Sequence, residues 1–345
     1  MPSSPPPTVL LTCGDPAGIG PEVAALAWAA TAAHGRARLR VVAEPALIAA
    51  SIMTRRGMPA LRITAVSATD PRPSTADELL VIPTGEPAEP IAPGSASAAG
   101  GRQAAAAVNT AFALVRDGAA QAIVTGPLHK EALHAAGYDV PGHTELLARS
   151  CGLPDDAASM MLWLPSTRGP GGLAVVHATL HQSLRSAVAD LSTERIVAAG
   201  GRLAAVLMAL LARPPRLAVA ALNPHGGEGG LFGDEESRLI RPAVDRLAAA
   251  GLMVDGPLPA DTLFLRASRG EFDGIVALYH DQGHIPVKLL GMHRAVNITL
   301  GLPLVRTSVA HGTAFDIVGQ GRADPTSMLS AIDAAVRLVA AGWRG

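Results

Sequence analysis

The side chains best suited to catalysis or ligand binding in this chain of 345 residues are concentrated between residues 274 and 325. A short apolar run, Ile275 to Tyr279, is typical of a buried strand, and a polar segment follows it. The ionisable and amide residues of that segment are His280, Asp281, Lys288, Asn297, Arg306, His311 and Asp316. Because ligands of α/β sheets bind beyond the carboxyl ends of the strands, this segment is the first candidate site.

Three other segments repeat this arrangement of an apolar run followed by polar side chains. The polar residues after the run 121–125 are His129, Lys130, His143, Thr144 and Glu145. Those near the end of the run 173–178 are His177 and His181, and those after the run 216–222 are Asn223, His225 and Glu228. If these strands lie side by side in one sheet, their ends converge and the polar residues can meet.

Three of these residues, His181, His225 and His280, are candidate metal ligands. Each follows a strand-like run and has small neighbours, and neutral imidazoles suit a divalent ion such as zinc or cobalt. The chain has neither an HExxH sequence nor paired CxxC sequences, so isolated structural histidines are the alternative. His177 lies four residues before His181, and we expect one of that pair only to pack.

Lys288 and Arg306 are candidate ligands for an anion. Both cations stand in apolar surroundings, and Lys and Arg are rarely buried without a partner. Asn297 and Thr144 would add neutral donors. The alternative for Lys288 is that it lays its aliphatic stem along the surface and keeps its charge in water.

Two glycine-rich segments are candidates for binding a nucleotide or another anion. HGTAFDIVGQGRADP, at 311–325, could cradle a nucleotide through its backbone N–H groups, or it is simply a glycine-rich loop. CGDPAGIGPEV, at 13–23, lies between a strand and a helix but lacks the GxGxxG spacing of a dinucleotide fingerprint. Gly18 to Glu22 therefore forms either a helix start that approaches an anion or a structural turn.

Alternating strands and helices must position these segments. The sequence predicts strands at 8–12, 39–43, 61–66, 79–82, 121–125, 173–178, 216–222 and 275–279, and helices at 101–115, 192–212, from 234 onwards and at 325–341. This alternation favours an α/β fold with a largely parallel sheet. Because polar segments follow strands in both the middle and the last third of the chain, we expect two lobes with a cleft between them.

Composition and charge exclude several classes of protein. Hydrophobic residues make up 49% and charged residues 17%, which excludes a disordered chain. The net charge of −1, without a basic cluster, argues against nucleic acid as a partner. The apolar runs are too short for a membrane span of about 20 residues. Cys13 and Cys151 do not form a disulfide framework, which fits a reducing cytoplasm.

Stretches along nearly the whole chain resemble the 4-hydroxythreonine-4-phosphate dehydrogenase family and follow in the family's order. They are GDPAGIGPE at 14–22, TGPLHKEAL at 125–133, GHTELLA at 142–148, NPHGGEGGLFG at 223–233, ADTLF at 260–264, YHDQGHIPVK at 279–288 and VNITLGLPLVRTSVAHGTAFDI at 296–317. The segment 311–325 also resembles the nucleotide-binding loop of the isocitrate and isopropylmalate dehydrogenases, which bind NAD(P) without a Rossmann fingerprint.

The resemblance implies a two-lobed α/β/α fold of the isocitrate and isopropylmalate dehydrogenase type. We expect residues 1–128 and 285–345 to form a nucleotide-binding lobe, and residues 129–284 to form the metal, substrate and dimerisation lobe. The family is homodimeric, with an active site shared across the subunit boundary. The resemblance also implies a divalent metal, either zinc, magnesium or cobalt, bound by His181, His225 and His280.

The resemblance also implies the remaining site residues. Its substrate contacts fall on His143, Thr144, Lys288, Asn297 and Arg306. The resemblance of the glycine-rich loop implies contacts to NAD or NADP from His311, Gly312, Thr313 and Asp316. The group that accepts the proton stays open among His143, Lys288 and a metal-bound water.

The reaction that the resemblance implies is a metal-dependent oxidation, with decarboxylation, of a phosphorylated β-hydroxy acid. The first substrate is 4-phosphooxy-L-threonine, which gives 3-amino-2-oxopropyl phosphate. Other branches oxidise D-threonate or D-erythronate 4-phosphate, or the cis-dihydrodiol of terephthalate. GHIPVK at 283–288 departs from the biosynthetic branch, and VHATLHQSLRSAV at 176–188 resembles the dihydrodiol enzymes. A hydrolase or isomerase that uses the same metal, and a sugar-phosphate-binding protein without catalysis, are the alternatives from other classes.

Overall fold

The computed structural model of the chain describes residues 5–140, 142–154, 157–166 and 171–345. Its strands are β1 (Thr8–Thr12), β2 (Arg38–Val42), β3 (Arg62–Ala65), β4 (Glu78–Ile82), β5 (Ala122–Thr125), β6 (Ser159–Pro165), β7 (Gly172–His177), β8 (Arg216–Ala220), β9 (Met253–Leu258), β10 (Gly274–Ala277), β11 (Val296–Leu300) and β12 (Val305–Val309). Its α-helices are α1 (Gly20–Ala30), α2 (Pro45–Thr54), α3 (Ala98–Arg116), α4 (Lys130–Ala135), α5 (His143–Ser150), α6 (Leu184–Ala189), α7 (Thr193–Leu211), α8 (Arg241–Ala249), α9 (Ala260–Ser268), α10 (His280–Gly291) and α11 (Thr326–Ala340).

The chain folds into two compact units. The first runs up to Ala158 and resumes at Leu302, and the second is Ser159–Gly301. The sequence predicts divisions near 128 and 284 instead. Residues 129–158 join the first unit because α4 and α5 pack on α3, and residues 285–301 join the second because β11 pairs with β6. The function of each unit stays a prediction.

The first unit is built on a parallel sheet whose strands follow the order β3-β4-β2-β1-β5-β12. Thr125, at the end of β5, lies opposite Thr12 of β1 on one side and Ser308 of β12 on the other. The central strands β1, β5 and β12 are buried at every position, which is typical of a parallel sheet covered on both faces. The carboxyl ends of β1, β5 and β12 therefore share one edge.

The second unit contains a mixed sheet in the order β11-β6-β7-β10-β8-β9. β6 runs antiparallel to both β11 and β7, whereas β7, β10, β8 and β9 are parallel. His177, the last residue of β7, lies opposite Ala277, the last residue of β10. The histidines that follow these strands are brought close together by this register.

Helix α7 illustrates how the sequence specifies the covering layer of the second unit. The side chain of Ser192 accepts a hydrogen bond from the backbone N–H of Arg195 and so caps the helix. Ile196, Leu203 and Leu207 recur at helical spacing and are fully buried, because α7 packs on β7 and β10.

The predicted α/β fold with a largely parallel sheet is confirmed. The polar segment after β10, however, is not a loop, because α10 begins directly at His280. Gly283 and Pro286 hide this helix from sequence reasoning, since both are unfavourable in helix interiors. The sequence also fails to show β6, β9, β11, β12, α4, α5, α6 and α9. In the described ranges, none of the helices has the length and apolar character needed to cross a membrane.

Candidate active site

His280 is the first residue of α10 and forms a close pair with its neighbour. Its Nδ1 lies 2.6 Å from Oδ1 of Asp281. A carboxylate oxygen can only accept, so Nδ1 carries the proton and donates it to Asp281. This leaves the lone pair of Nε2 available to bind a metal ion or to accept a proton.

His181 follows β7 and stands beside His280. The two ring centroids are 5.6 Å apart, and the planes are inclined by 43°. Both rings line a cavity of 570 Å³, together with Leu180, Leu184, Tyr279 and Asp281 among others. The structure therefore brings together two of the three histidines that the resemblance implies as metal ligands.

The third histidine, His225, lies in a strained turn, Pro224–Gly230. Its φ of 54° is in the left-handed region, as is that of Glu228 at 46°. Glu236 fixes the start of this turn, since its Oε1 accepts the backbone N–H groups of Leu222 and Asn223, each at 2.8 Å. Burial alone would raise the pKa of Glu236, but the hydrogen bonds from Asn223 keep it below its usual value.

The described part of one chain does not assemble the complete set of metal ligands. Within those residues, no group of three or more His, Cys, Asp or Glu side chains is placed to hold a metal ion. His181 and His280 fit such an ion through their proximity, and His225 does not join them there. The set of three ligands stays a prediction.

His177 and His284 form a buried pair behind His280. Nδ1 of His284 lies 3.1 Å from Nε2 of His177, and its ring stacks on that of His280 with centroids 3.7 Å apart. Burial, and then the nearby His284, lower the pKa of His177 to about 3. Burial, and then His280, lower the pKa of His284 to about 4, so both rings are neutral at pH 7.

The sequence predicts that one of His177 and His181 only packs. His177 is the buried member of the pair, at 5% exposed. His284 was not singled out at all. Its spacing of four residues from His280 is a usable signal only once α10 is recognised as a helix, because residues four apart then share a face.

Arg306 is the charged residue at the centre of the polar group in the first unit. Its side chain is 2% exposed, and its Nε and Nη2 lie 3.2 and 2.7 Å from Oγ1 of Thr125. Burial lowers the pKa of Arg306 to about 10, and the charge of Glu145 opposes this shift. The guanidinium therefore stays charged at neutral pH, and Thr125 is a partner that sequence reasoning missed.

His143 lies near Arg306, at the start of α5. Burial, and then the charge of Arg306, lower the pKa of His143 well below its ordinary value of 6.5. Its Nε2 is buried and has no hydrogen-bond partner among the described residues. A buried polar atom of this kind normally finds a partner, which fits a ligand at this position. Thr144, beside it, is partly exposed.

Lys288 and Asn297 belong to the second unit. Lys288 is exposed in the last turn of α10. Asn297 stands on β11 with its Nδ2 2.9 Å from Sδ of Met160. Its Oδ1 is buried and, in the ranges that the structure describes, without a hydrogen-bond partner. Asn297 thus keeps an acceptor for a ligand, whereas Lys288 offers its ammonium group from the surface.

Within the predicted cofactor loop, residues 311–325, the part 311–321 is anchored to the turn 13–20. The carbonyl of Thr313 accepts the backbone N–H of Ile19, and the buried Oε1 of Glu22 accepts that of Gly319. Arg55 pairs with Glu22 at 3.3 Å and donates to the carbonyl of Gly18 at 2.8 Å. Asp316 is exposed, whereas His311 is half-buried. Nδ1 of His311 lies 2.9 Å from the carbonyl oxygen of Gly312, and its Nε2 is buried without a hydrogen-bond partner among the described residues.

The turn 13–20 is therefore a structural element that supports the loop. Gly14 has a φ of 72° and its Cα faces the backbone of Pro127 too closely for a side chain. A Cβ on Gly18 would lie 2.7 Å from the carbonyl oxygen of Thr313. The glycines are needed for this close packing, which favours the structural interpretation of Gly18 to Glu22 over direct anion binding.

Asp15 and His129 are further polar residues that sequence reasoning did not assign. Burial raises the pKa of Asp15, although the hydrogen bond from Ala17 and the nearby His129 oppose the rise. His129 stacks on Phe315 with centroids 4.7 Å apart. Phe315 belongs to the predicted cofactor loop, so this stacking fixes a second point of it.

Comparisons with known proteins agree over nearly the full length. The family model described as pyridoxal phosphate biosynthetic protein PdxA matches residues 36–335. The chain is 42% identical to D-threonate 4-phosphate dehydrogenase of Bordetella bronchiseptica, over 98% of this chain and 93% of the relative. It is also 42% identical to 4-hydroxythreonine-4-phosphate dehydrogenase of Beijerinckia indica, over 95% and 94%. The crystal structure of 4-hydroxythreonine-4-phosphate dehydrogenase from Klebsiella pneumoniae superimposes with a TM-score of 0.83 and 39% identity, covering 97% and 99%.

Proposed function

Because this chain belongs to the PdxA family and is a dehydrogenase of the hydroxythreonine or D-threonate 4-phosphate type, we propose that it oxidises 4-phosphooxy-L-threonine. NAD⁺ or NADP⁺ takes the hydride from the secondary alcohol, carbon dioxide leaves, and 3-amino-2-oxopropyl phosphate forms as a step towards pyridoxal phosphate. The observation that carries this proposal is the buried, charged guanidinium of Arg306 next to the unpartnered Nε2 of His143.

A phosphate group suits the surroundings of Arg306. A planar guanidinium can donate two parallel hydrogen bonds to phosphate oxygens, which makes arginine a common ligand of phosphate groups. Thr125 holds Nε and Nη2 and so sets the plane of the fork. We assign the other substrate contacts to His143 and Thr144, to Lys288 as a donor to phosphate or carboxylate oxygens, and to Asn297, whose Oδ1 would accept from a hydroxyl or ammonium group of the substrate.

The cofactor contacts are assigned to the loop 311–321. His311, Gly312, Thr313 and Asp316 would contact NAD or NADP, which does the hydride chemistry that side chains cannot do. Support comes from the anchoring of this loop by Glu22 and Arg55, since a loop held in one conformation loses less entropy on binding.

We further propose that turnover requires a divalent metal, either zinc, magnesium or cobalt. His280 and His181 would hold it, with His225 contributed by the partner subunit. Such an ion acts as a Lewis acid towards oxygen ligands and stabilises charge that develops on them. Asp281 orients His280 by accepting its Nδ1 proton, so that Nε2 is the coordinating atom.

A homodimer in the cytoplasm is the form in which we expect the enzyme to work. Leu289 of α10 is 83% exposed, and Leu231 and Phe232, which follow the His225 turn, are 75% and 50% exposed. Large exposed apolar residues next to both predicted ligand positions favour their burial against a second copy. The free thiols Cys13 and Cys151 fit a reducing compartment.

The group that accepts the substrate's proton is proposed among His143, Lys288 and a metal-bound water. His143 is neutral at pH 7 because burial lowers its pKa, so its Nε2 can accept a proton.

D-threonate 4-phosphate is the second candidate substrate. It is supported by the relative from Bordetella bronchiseptica, which is as similar to this chain as the 4-hydroxythreonine-4-phosphate dehydrogenase. The stretch GHIPVK at 283–288 also departs from the biosynthetic branch. D-erythronate 4-phosphate would bind through the same phosphate contacts, whereas the terephthalate dihydrodiol has no phosphate for Arg306.

One panel of assays tests these proposals. The purified protein is mixed with NAD⁺ or NADP⁺, with each divalent metal or a chelator, and with each of the four substrates in turn. We expect reduced nicotinamide to form with a phosphorylated substrate and the metal to be required. Phosphate-ester binding without any nicotinamide reduction would instead identify a binding protein. Full activity in excess chelator would exclude a requirement for the metal.

A further inference from the structure

Three imidazoles of the second unit, those of His177, His280 and His284, lie close together next to the cavity that His181 lines. His280 and His284 are four residues apart on α10, and their rings are nearly parallel, at 9°, with centroids 3.7 Å apart. His177, at the end of β7, lies beside both of them, with its ring centroid 4.6 Å from that of His284 and 6.2 Å from that of His280. His177 and His284 are 5% and 6% exposed, so neither ring meets substrate from solvent directly.

The hydrogen bonds of this group determine where the protons are. Nδ1 of His284 lies 3.2 Å from the backbone carbonyl oxygen of His280 and 3.1 Å from Nε2 of His177. Because a carbonyl can only accept, Nδ1 of His284 carries the proton, and Nε2 of His177 must be an acceptor. The proton of a neutral His177 is then on Nδ1, which is buried and has no hydrogen-bond partner among the described residues.

The backbone around His177 is shaped to hold its ring at this place. A Cβ on Gly283 would collide with Nε2 of His177 and lie 2.7 Å from Cγ1 of Val175. Glycine therefore lets α10 approach β7 closely enough for His177 to reach His284. The pair depends on this helix position as well as on the two side chains.

We propose that His177 and His284 are positioning residues that hold the imidazole of His280 in one orientation. His177 fixes the ring of His284 through the hydrogen bond, and His284 fixes the plane of His280 by stacking. Asp281 holds the opposite edge of His280 through Nδ1. The Nε2 lone pair of His280 then points in one direction, which lowers the cost of bringing it to a ligand. The benefit for catalysis rests on the proposed function, whereas the ring geometry does not.

Paired substitutions separate the hydrogen bond from the stacking. His284→Asn keeps an N–H close to the position of Nδ1 but removes the ring, and His284→Phe keeps a ring but removes the donor. His177→Gln retains an acceptor for His284, and His177→Leu removes it. Gly283→Ala should move α10 away from β7 without changing either imidazole. His293→Phe, at an exposed position of the same unit, is the control for losing a histidine.

The first measurement is ring-nitrogen NMR of the protein labelled with ¹⁵N-histidine, at one fixed pH. We expect His284 and His177 both to carry the proton on Nδ1 in the wild type. His284→Phe, His177→Leu and Gly283→Ala should shift or broaden the ring signals of His280, whereas His177→Gln should leave them close to wild type. His293→Phe should leave them unchanged. Circular dichroism identifies any variant that has simply failed to fold, and His177→Gln is then the informative one.

The second measurement is the kinetics of the same variants. We expect kcat and kcat/KM to fall together by about tenfold or more in His284→Phe and His177→Leu, since misplacement of a reacting group lowers both. His177→Gln should recover most of this loss. If the two residues had only a structural role, the variants would lose stability, but kcat and kcat/KM would not differ between the folded His177→Gln and His177→Leu proteins.

Two results would overturn the inference. One is a wild-type His284 with its proton on Nε2, which reverses the hydrogen bond. The other is a folded His284→Phe variant whose His280 signals and kinetic constants stay within about twofold of wild type. If the wild type reduces no nicotinamide with any substrate but the NMR results are as expected, the proposed function fails and the positioning of His280 stands.

Discussion

Nη2 of Arg306 lies 2.7 Å from Oγ1 of Thr125, on a strand directly beside its own. β12 and β5 are parallel neighbours, and the register sets Arg306 opposite Ile123, two residues before Thr125. The contact therefore depends on strand pairing between residues 181 positions apart. It explains how the buried guanidinium is held in a defined plane.

Arg306→Gln should weaken binding of the phosphorylated substrate. Hydrogen bonds to charged groups contribute about 1.5–3 kcal/mol, so KM should rise by about 10- to 100-fold. The KM of Arg306→Lys should lie between those of the wild type and Arg306→Gln, because lysine keeps the positive charge but loses the planar pair of N–H donors. Initial-rate kinetics measure this, with the exposed Arg116→Gln as control. An unchanged KM in Arg306→Gln would place the phosphate elsewhere.

Glu22→Gln should destabilise the fold and weaken binding of NAD(P)⁺. Glu22 is fully buried, pairs with Arg55 at 3.3 Å and accepts the N–H of Gly319. Removing one partner of a buried ion pair costs about 3–5 kcal/mol, since the other charge stays buried. Urea unfolding and titration with NAD⁺ and NADP⁺ measure the two effects.

The matched control for Glu22 is the exposed pair of Arg36 and Asp333, whose side chains are 46% and 45% exposed. Asp333→Asn should cost less than about 1 kcal/mol, because solvent screens such pairs. Equal losses in the two variants would mean that burial does not matter at Glu22. A normal affinity for NAD(P)⁺ in Glu22→Gln would separate the loop 311–321 from the cofactor.

His143 should make stability depend on pH in the acid range. Burial, and then Arg306, lower its pKa in the folded protein well below the ordinary 6.5, so the unfolded chain binds the proton first. Its contribution to stability is therefore present above pH 6.5 and is lost as the pH falls towards the folded pKa. The slope for one such group is about 1.4 kcal/mol per pH unit.

Comparing the wild type with His143→Gln isolates this contribution. Urea midpoints measured between neutral pH and about pH 5 should fall more steeply in the wild type, because glutamine does not titrate. Other groups contribute equally to both proteins. Parallel curves would show that His143 takes up its proton in the folded state as easily as in the unfolded chain.

Leu289→Glu should dissociate the proposed homodimer. Leu289 is 83% exposed on the helix that begins at His280, and a buried unpaired carboxylate at an interface is strongly unfavourable. We expect the dissociation constant to rise by about 100-fold, and activity to fall with it because the proposed site is shared between the subunits. Analytical ultracentrifugation measures the first effect.

Met53→Glu is a close control for Leu289, since Met53 of α2 is also 83% exposed. It introduces the same charge at a similarly accessible apolar residue outside the second unit. We expect its dimerisation and activity to match the wild type. A Leu289→Glu protein that remains dimeric and active would exclude α10 from the interface.

Periodicity was enough to predict most elements of the first unit. The strand 8–12 is confirmed residue for residue, and the helix predicted at 101–115 is observed at Ala98–Arg116. Both have unambiguous patterns, a continuous apolar run in one case and a long amphipathic stretch in the other. α10 was missed because Gly283 and Pro286 are poor helix formers, and only the packing of α10 against β7 makes them acceptable.

Residue types and the order of motifs determined the family and the dehydrogenase chemistry. They also made Arg306 a candidate anion ligand, because ionisable groups in apolar surroundings are visible in the sequence. Tertiary structure alone decided that Thr125 holds Arg306, that Glu22 and Arg55 anchor the loop 311–321, and that His177 reaches His284. The physical reason is that these contacts join residues far apart in the chain. Hydrophobic periodicity encodes which face of an element is buried, but the partner that meets a polar side chain is set by strand order and helix packing.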